Sequence, residues 1–233
     1  MRTIYTHTNP DGSQVQIWTY GTVAIDPSAT LGHGVTLCDG AVVGAGAVVG
    51  PNTIINRNAV VGRDAEIGAD VLIGPRAVVG RNAEIGPRAW LDPDTRIGDY
   101  AMIAEEAFIA AAAEVGGCTF VGPRVRIRPR VKIETEVAIS EGATIDDDAV
   151  VERWAQIGRS AHVECRATLK RDAIVQNRAR VGAGAVVERG ARVMADAVVG
   201  PNAVVGEGAW VGAGAVVEED VIIPFNAVVP ATA

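Results

Sequence analysis

The sequence predicts an all-β fold, one parallel β-helix solenoid of stacked three-strand coils, and three observations predict it. From Val23 the chain divides into thirty-five consecutive hexapeptides, ending at Thr232, without one insertion. Position 1 is always Ala, Val or Thr, position 3 is always Ile, Val or Leu, and position 4 is Gly in sixteen of the thirty-five. The composition agrees: 48% of residues are hydrophobic but only 4% aromatic, with 27 glycines. Thin repeated layers use small branched side chains in this way, whereas a globular core uses more rings.

Each part of the repeat has a physical role. Positions 1 and 3 are two apart, so they share the inward face of a short strand, and position 2 points outward. Positions 4 to 6 hold the Gly, Asn, Asp and Pro that turns use. A hexapeptide is therefore one strand and one corner, and three of them close a triangular coil. Coils stack at the strand spacing of ~4.8 Å, so nearly twelve coils would extend roughly 55 Å.

The ends depart from the repeat. In residues 1–22 the stretches Thr3–Thr8 and Gln14–Tyr20 alternate as strands around Asn9-Pro10-Asp11-Gly12, which reads as a β-hairpin. It would cover the open edge of the first coil. The predicted organisation is a cap over 1–22 and a β-helix over 23–233. Pro224 and Pro230 lack amide donors and discourage further stacking.

The pattern in AVVGPN and AEIGAD resembles the hexapeptide-repeat superfamily, the acyltransferase-like family with a single-stranded left-handed parallel β-helix. The resemblance covers Val23 to Thr232, and it is the resemblance that implies left-handedness. It also implies a parallel homotrimer and, for the family's enzymes, transfer from acetyl-CoA or an acyl carrier with a catalytic His as general base. The closing DVIIPFNAVVPATA is similar to the last segment of such enzymes, except that Val229 stands where a Gly usually precedes the final Pro-Ala.

A net charge of −7 argues against nucleic-acid binding. No apolar run reaches the ~18 residues of a membrane span, and Met-Arg-Thr-Ile-Tyr-Thr-His has no apolar signal core. The expected location is cytoplasmic or virion-associated. Cys38, Cys118 and Cys165 are odd in number, lack metal-like spacing, and are expected as free thiols.

Outward position 2 residues repeat every 18 residues on three faces. Ile54, Leu72, Trp90 and Phe108 fall on one; Val42, Val60 and Val78 on another; Met102 and Phe120 on the third, with Trp210 near the C-terminus. An apolar stripe of this kind marks an interface, so these residues are the predicted homotrimer contact, and a further protein is expected at one end. Cyclic symmetry would bury equivalent stripes together.

Chemistry is sparse by comparison. No loop interrupts the repeat, and the histidines are His7, His33 and His162. His162, outward on a strand with Thr144 and Arg180 as neighbours, is the base candidate. His33 and His162 lie about seven coils, roughly 34 Å, apart. That separation excludes a shared zinc, whose Zn–N bonds are ~2 Å, and no metal or cofactor is expected. Arg124, Arg126, Arg128, Arg130 and Lys132 form a basic belt followed by acidic residues. The belt reads as cross-coil ion pairs or as an anion site. The unbroken repeat and apolar stripes favour a non-catalytic homotrimeric rod serving as spacer, decoration or scaffold, in a cell or in a virus particle. The alternative is an acyl-CoA- or acyl-carrier-dependent acyltransferase.

Overall fold

A computed structural model describes residues 2–232; Met1 and Ala233, the outer bounds of the two predicted segments, lie outside them. The described residues contain strands and no helix. The fold is a parallel β-helix. Its residues divide into two compact units, one up to Cys118 and one from Thr119.

In the first unit, β1 (Arg2–Thr8) and β2 (Gln14–Tyr20) pair antiparallel. Strand β2 then pairs in parallel with the first coil, Trp18 beside Thr36. Ile17 is fully buried beneath it. The neighbouring coil edge is finished by side chains. The Asn9 amide donates to the Leu31 carbonyl at 3.2 Å and accepts from the Leu31 N–H at 2.9 Å. His7 Nε2 lies 3.1 Å from the Ala29 carbonyl. Asn9 therefore meets the exposed strand edge with one donor and one acceptor, as a further strand would.

Within both units each hexapeptide contributes a two-residue strand paired to residues 18 positions away. Positions 1 and 3 are buried almost without exception, giving columns of Ile, Val and Leu beside columns of Ala. Each fully buried Ile, Leu or Val contributes about 1.5–3 kcal/mol of transfer free energy, repeated coil after coil.

The corners carry a regular hydrogen-bond code. Amides at positions 2 and 4 donate to the following coil, as Val60 does to Ala77 and Gly62 to Val79. The amide at position 6 donates back to the preceding coil, as Asn52 does to His33. Left-handed backbone at position 6 accompanies this reversal. Twenty-five non-glycine residues there have φ between 52° and 63°. Such residues are ordinarily uncommon, and Asn and Asp, which tolerate the conformation, occupy many of the sites. Position 4 glycine serves a different need: a Cβ on Gly80 would stand 2.5 Å from the Gly98 carbonyl carbon one coil on.

At the C-terminal edge, the donors of position 4 that an additional coil would accept come from Glu218, Pro224 and Pro230. Two of the three have no N–H to leave unpaired.

Candidate active site

Within the second unit, Arg126, Thr144, His162 and Arg180 stand in register on successive strands of one face. Each points outward because its neighbours at positions 1 and 3 fill the core. His162 Nε2 lies 2.6 Å from Asp146 Oδ2. Asp146 belongs to the corner one coil earlier, sixteen residues back. The carboxylate accepts, so Nε2 carries the proton and the Nδ1 lone pair is left free. The pair is half-buried, with side-chain exposures of 37% and 29%. Beside it Arg180 pairs with Glu164, and the Glu164 carboxylate also accepts the Ala183 amide. An imidazole oriented by a carboxylate can take a proton from a hydroxyl or amine. Asp146 was not singled out from the sequence as a partner of His162. The repeat holds the signal, since position 4 of one coil lies diagonally beside position 2 of the next.

The other histidines are placed differently. His7 is buried against Ala29, and His33 sits at a corner, its carbonyl accepting the Asn52 amide.

The basic belt separates into two sets. Arg124 pairs with Glu141, and Arg130 with Asp147 and Asp148. Its guanidinium donates to the Asp148 carboxyl and holds it below the usual carboxylate range. Arg126, Arg128 and Lys132 have no carboxylate partner among the described residues. Among these residues, no group of three His, Cys, Asp or Glu is arranged to hold a metal.

The outward apolar residues of the first unit stack as registered neighbours: Ile54, Leu72, Trp90 and Phe108, and Val42, Val60 and Val78. The Trp90 and Phe108 rings meet edge to face with centroids 6.0 Å apart. Met102, in the first unit, and Phe120 and Trp210, in the second, are exposed. Arg192 lies over the Trp210 ring, 4.8 Å from its centroid. An open groove of about 770 Å³ in the first unit is lined by Tyr20, Cys38, Asn56, Arg57 and Arg76. Burial pushes the Cys38 thiol up, which keeps it protonated and a poor nucleophile. All three cysteines are free.

Residues 46–81 match the family model described as bacterial transferase hexapeptide (six repeats), and the same pattern continues on both sides of them. Over that stretch the chain is similar to the hexapeptide repeat of the bacterial transferases. Among solved structures it is similar to UDP-N-acetylglucosamine O-acyltransferase from Moraxella catarrhalis. Identity is 20%, coverage 84% of this chain and 68% of that one, and the TM-score 0.41. The Arabidopsis UDP-N-acetylglucosamine acyltransferase gives 19%, 89% and 69%, with a TM-score of 0.41. Perosamine N-acetyltransferase from Caulobacter crescentus gives 22%, 56% and 50%, with a TM-score of 0.23. The chain thus spans about two thirds of the length of the first two. No curated protein matches it.

Proposed function

We propose that this protein is an acyltransferase in which His162, oriented by Asp146, is the general base. The 2.6 Å contact between the two side chains carries the reading, and the transferase-hexapeptide match at 46–81 supports it. An acceptor hydroxyl or amine delivers its proton to His162 Nδ1 as its oxygen or nitrogen attacks a thioester carbonyl. The C–S bond then breaks, and the departing thiolate takes the proton back from the imidazolium. The test is thiol release from acetyl-CoA, longer acyl-CoA and acyl-carrier donors, with a panel of amino and hydroxyl sugars. His162→Ala should lower turnover about 10²- to 10⁴-fold. Wild-type turnover at background with every donor, or full activity in His162→Ala, refutes the assignment.

A second reading, a homotrimeric spacer or scaffold, is favoured by the stacked outward column Ile54, Leu72, Trp90 and Phe108. Such a column is costly to leave in water and would be buried on a three-fold axis. The double substitution Leu72→Glu and Trp90→Glu should sediment as a monomer where the wild type sediments as a trimer. An unchanged sedimentation coefficient removes the trimer contact from this face.

A further inference from the structure

The unpaired part of the basic belt adjoins the His162 dyad, and its setting is specific. Arg126 and Arg128 are exposed, share one hexapeptide and have no carboxylate partner among the described residues. Thr144, between Arg126 and His162 in the strand register, has a hydroxyl with no hydrogen-bond partner among the described residues. The surrounding acids are engaged elsewhere. Asp146 faces His162, Asp147 and Asp148 face Arg130, and Glu141 faces Arg124 and Arg159. Two guanidinium groups and a hydroxyl without a partner among the described residues therefore stand together where the nearest carboxylates are already engaged.

Charge and geometry select the ligand. A guanidinium fork matches the paired oxygens of a phosphoryl group, and a hydroxyl adds a third donor. A lone alkyl or sugar hydroxyl would leave the two cations unpaired. We infer that Arg126, Arg128 and Thr144 bind a phosphate ester whose reacting end reaches His162. Two strand spacings separate the Arg126 and His162 strands, about 10 Å. A phosphorylated ligand with one sugar ring or a short chain beyond the phosphate covers that span. The phosphate is carried either by the acyl donor or by the acceptor. This inference rests on the acyltransferase reading for the role of His162, but the anion site stands on its own residues.

Binding of inorganic pyrophosphate to the full-length protein, followed by calorimetry at low and moderate salt, tests the site. The double variant Arg126→Ala with Arg128→Ala should weaken binding at least tenfold, and His162→Gln, whose amide can still donate to Asp146, should leave it unchanged. Arg57→Ala with Arg96→Ala removes the same charge from the first unit and should also leave it unchanged. Equal weakening by the two double variants, or no pyrophosphate binding to wild type at millimolar concentration, overturns the site. CoA against pantetheine, and glucose 1-phosphate against glucose, separate the two sources. A preference for the phosphorylated member of the first pair assigns the phosphate to the donor, and of the second to the acceptor. Loss of both preferences in a protein that still binds pyrophosphate overturns the link to His162. Full transfer activity in His162→Ala with the anion site intact refutes the catalytic reading alone.

Discussion

Asn9 is the residue whose removal tests most sharply how the solenoid is closed at its N-terminal edge. Its amide makes two hydrogen bonds to Leu31, at 3.2 and 2.9 Å, and a third to Ser13 Oγ at 3.1 Å. Asn9 and Leu31 are both buried, with exposures of 6% and 1%. Asn9→Ala removes both partners of the Leu31 backbone while leaving Leu31 under the hairpin. Each buried polar group left unpaired costs about 1–3 kcal/mol. The pair sits at an edge where water can reach part of the gap, so the expected loss is about 2–4 kcal/mol. That loss is local, because coils in a solenoid open from their ends. With about 1.4 kcal/mol per tenfold, protection of the Leu31 amide against hydrogen exchange should fall roughly 30-fold or more. Amides near Ile73 should be unaffected. Asn9→Asp should be at least as damaging, since a carboxylate oxygen then faces the Leu31 carbonyl and a charge is buried. Ser13→Ala, which leaves both Leu31 bonds intact, is the control. Unchanged Leu31 exchange in Asn9→Ala would refute the account of Asn9 as a strand mimic.

Two further outcomes follow from the corners. Ala112 is exposed at φ 57°. Left-handed backbone costs an L-residue about 1–2 kcal/mol, against about 0.4–1 kcal/mol of extra unfolded-state entropy for Gly. Ala112→Gly should thus stabilise the first unit by about 0.5–1 kcal/mol in urea unfolding, and a destabilised variant would contradict the strain argument. Arg76 and Arg178 hydrogen-bond to Asp94 and Asp196 and hold both carboxyls below their ordinary value of 3.8. A carboxyl lowered in the folded state stabilises above its unfolded value, and that contribution fades as pH falls through the folded one. The contribution of these pairs to the thermal midpoint should therefore be independent of pH near neutrality and be lost below about pH 4. Asp94→Asn with Asp196→Asn should show a shallower fall. An identical acid limb in that variant would exclude the pairs as its source.

The coil was legible in the sequence because every hexapeptide repeats the same solution to the same problem. Ile25 to Val229 at position 3 specify an inward face, and a one-residue slip would turn every one of them outward. The alternation around Asn9-Pro10-Asp11-Gly12 indicated a hairpin. The role of Asn9 was not indicated, because a side chain imitating a strand edge leaves no periodic trace. The candidate site was half legible. His162 stood out as an outward histidine on a regular face, whereas Asp146 looked like one of three consecutive acids. Its contact depends on the diagonal between position 4 and position 2 of adjacent coils, which strand register alone does not reveal. The belt from Arg124 to Lys132 read as a block of like charge, and the structure separates it by corner and face. Arg124 and Arg130, at position 6, meet carboxylates, while Arg126 and Arg128 do not.

The residue at position 4 decides which corner amide is capped as well as what is met across the face. Glu134, Glu152 and Glu164 occupy the same position in the second unit, and each accepts the amide nineteen residues ahead, from Arg153, Arg171 and Ala183. A carboxylate with two methylene-length bonds of reach caps the position 5 amide that the backbone code leaves unpaired. Asp146 is one methylene shorter. It bonds His162 across the face, and the Cys165 amide, nineteen residues ahead, has no such carboxylate. Asp146→Glu keeps the charge and adds the missing methylene. Glu164 indicates the outcome, since one carboxylate there accepts the Ala183 amide and still pairs with Arg180 on the same diagonal. The Cys165 amide should therefore gain exchange protection in Asp146→Glu while the His162 Nε2 proton keeps its hydrogen-bonded NMR shift. Transfer activity should be retained in Asp146→Glu and fall in Asp146→Asn. Loss of the His162 hydrogen bond in Asp146→Glu, with the Cys165 amide protected, would show that one carboxylate at this corner cannot serve both partners.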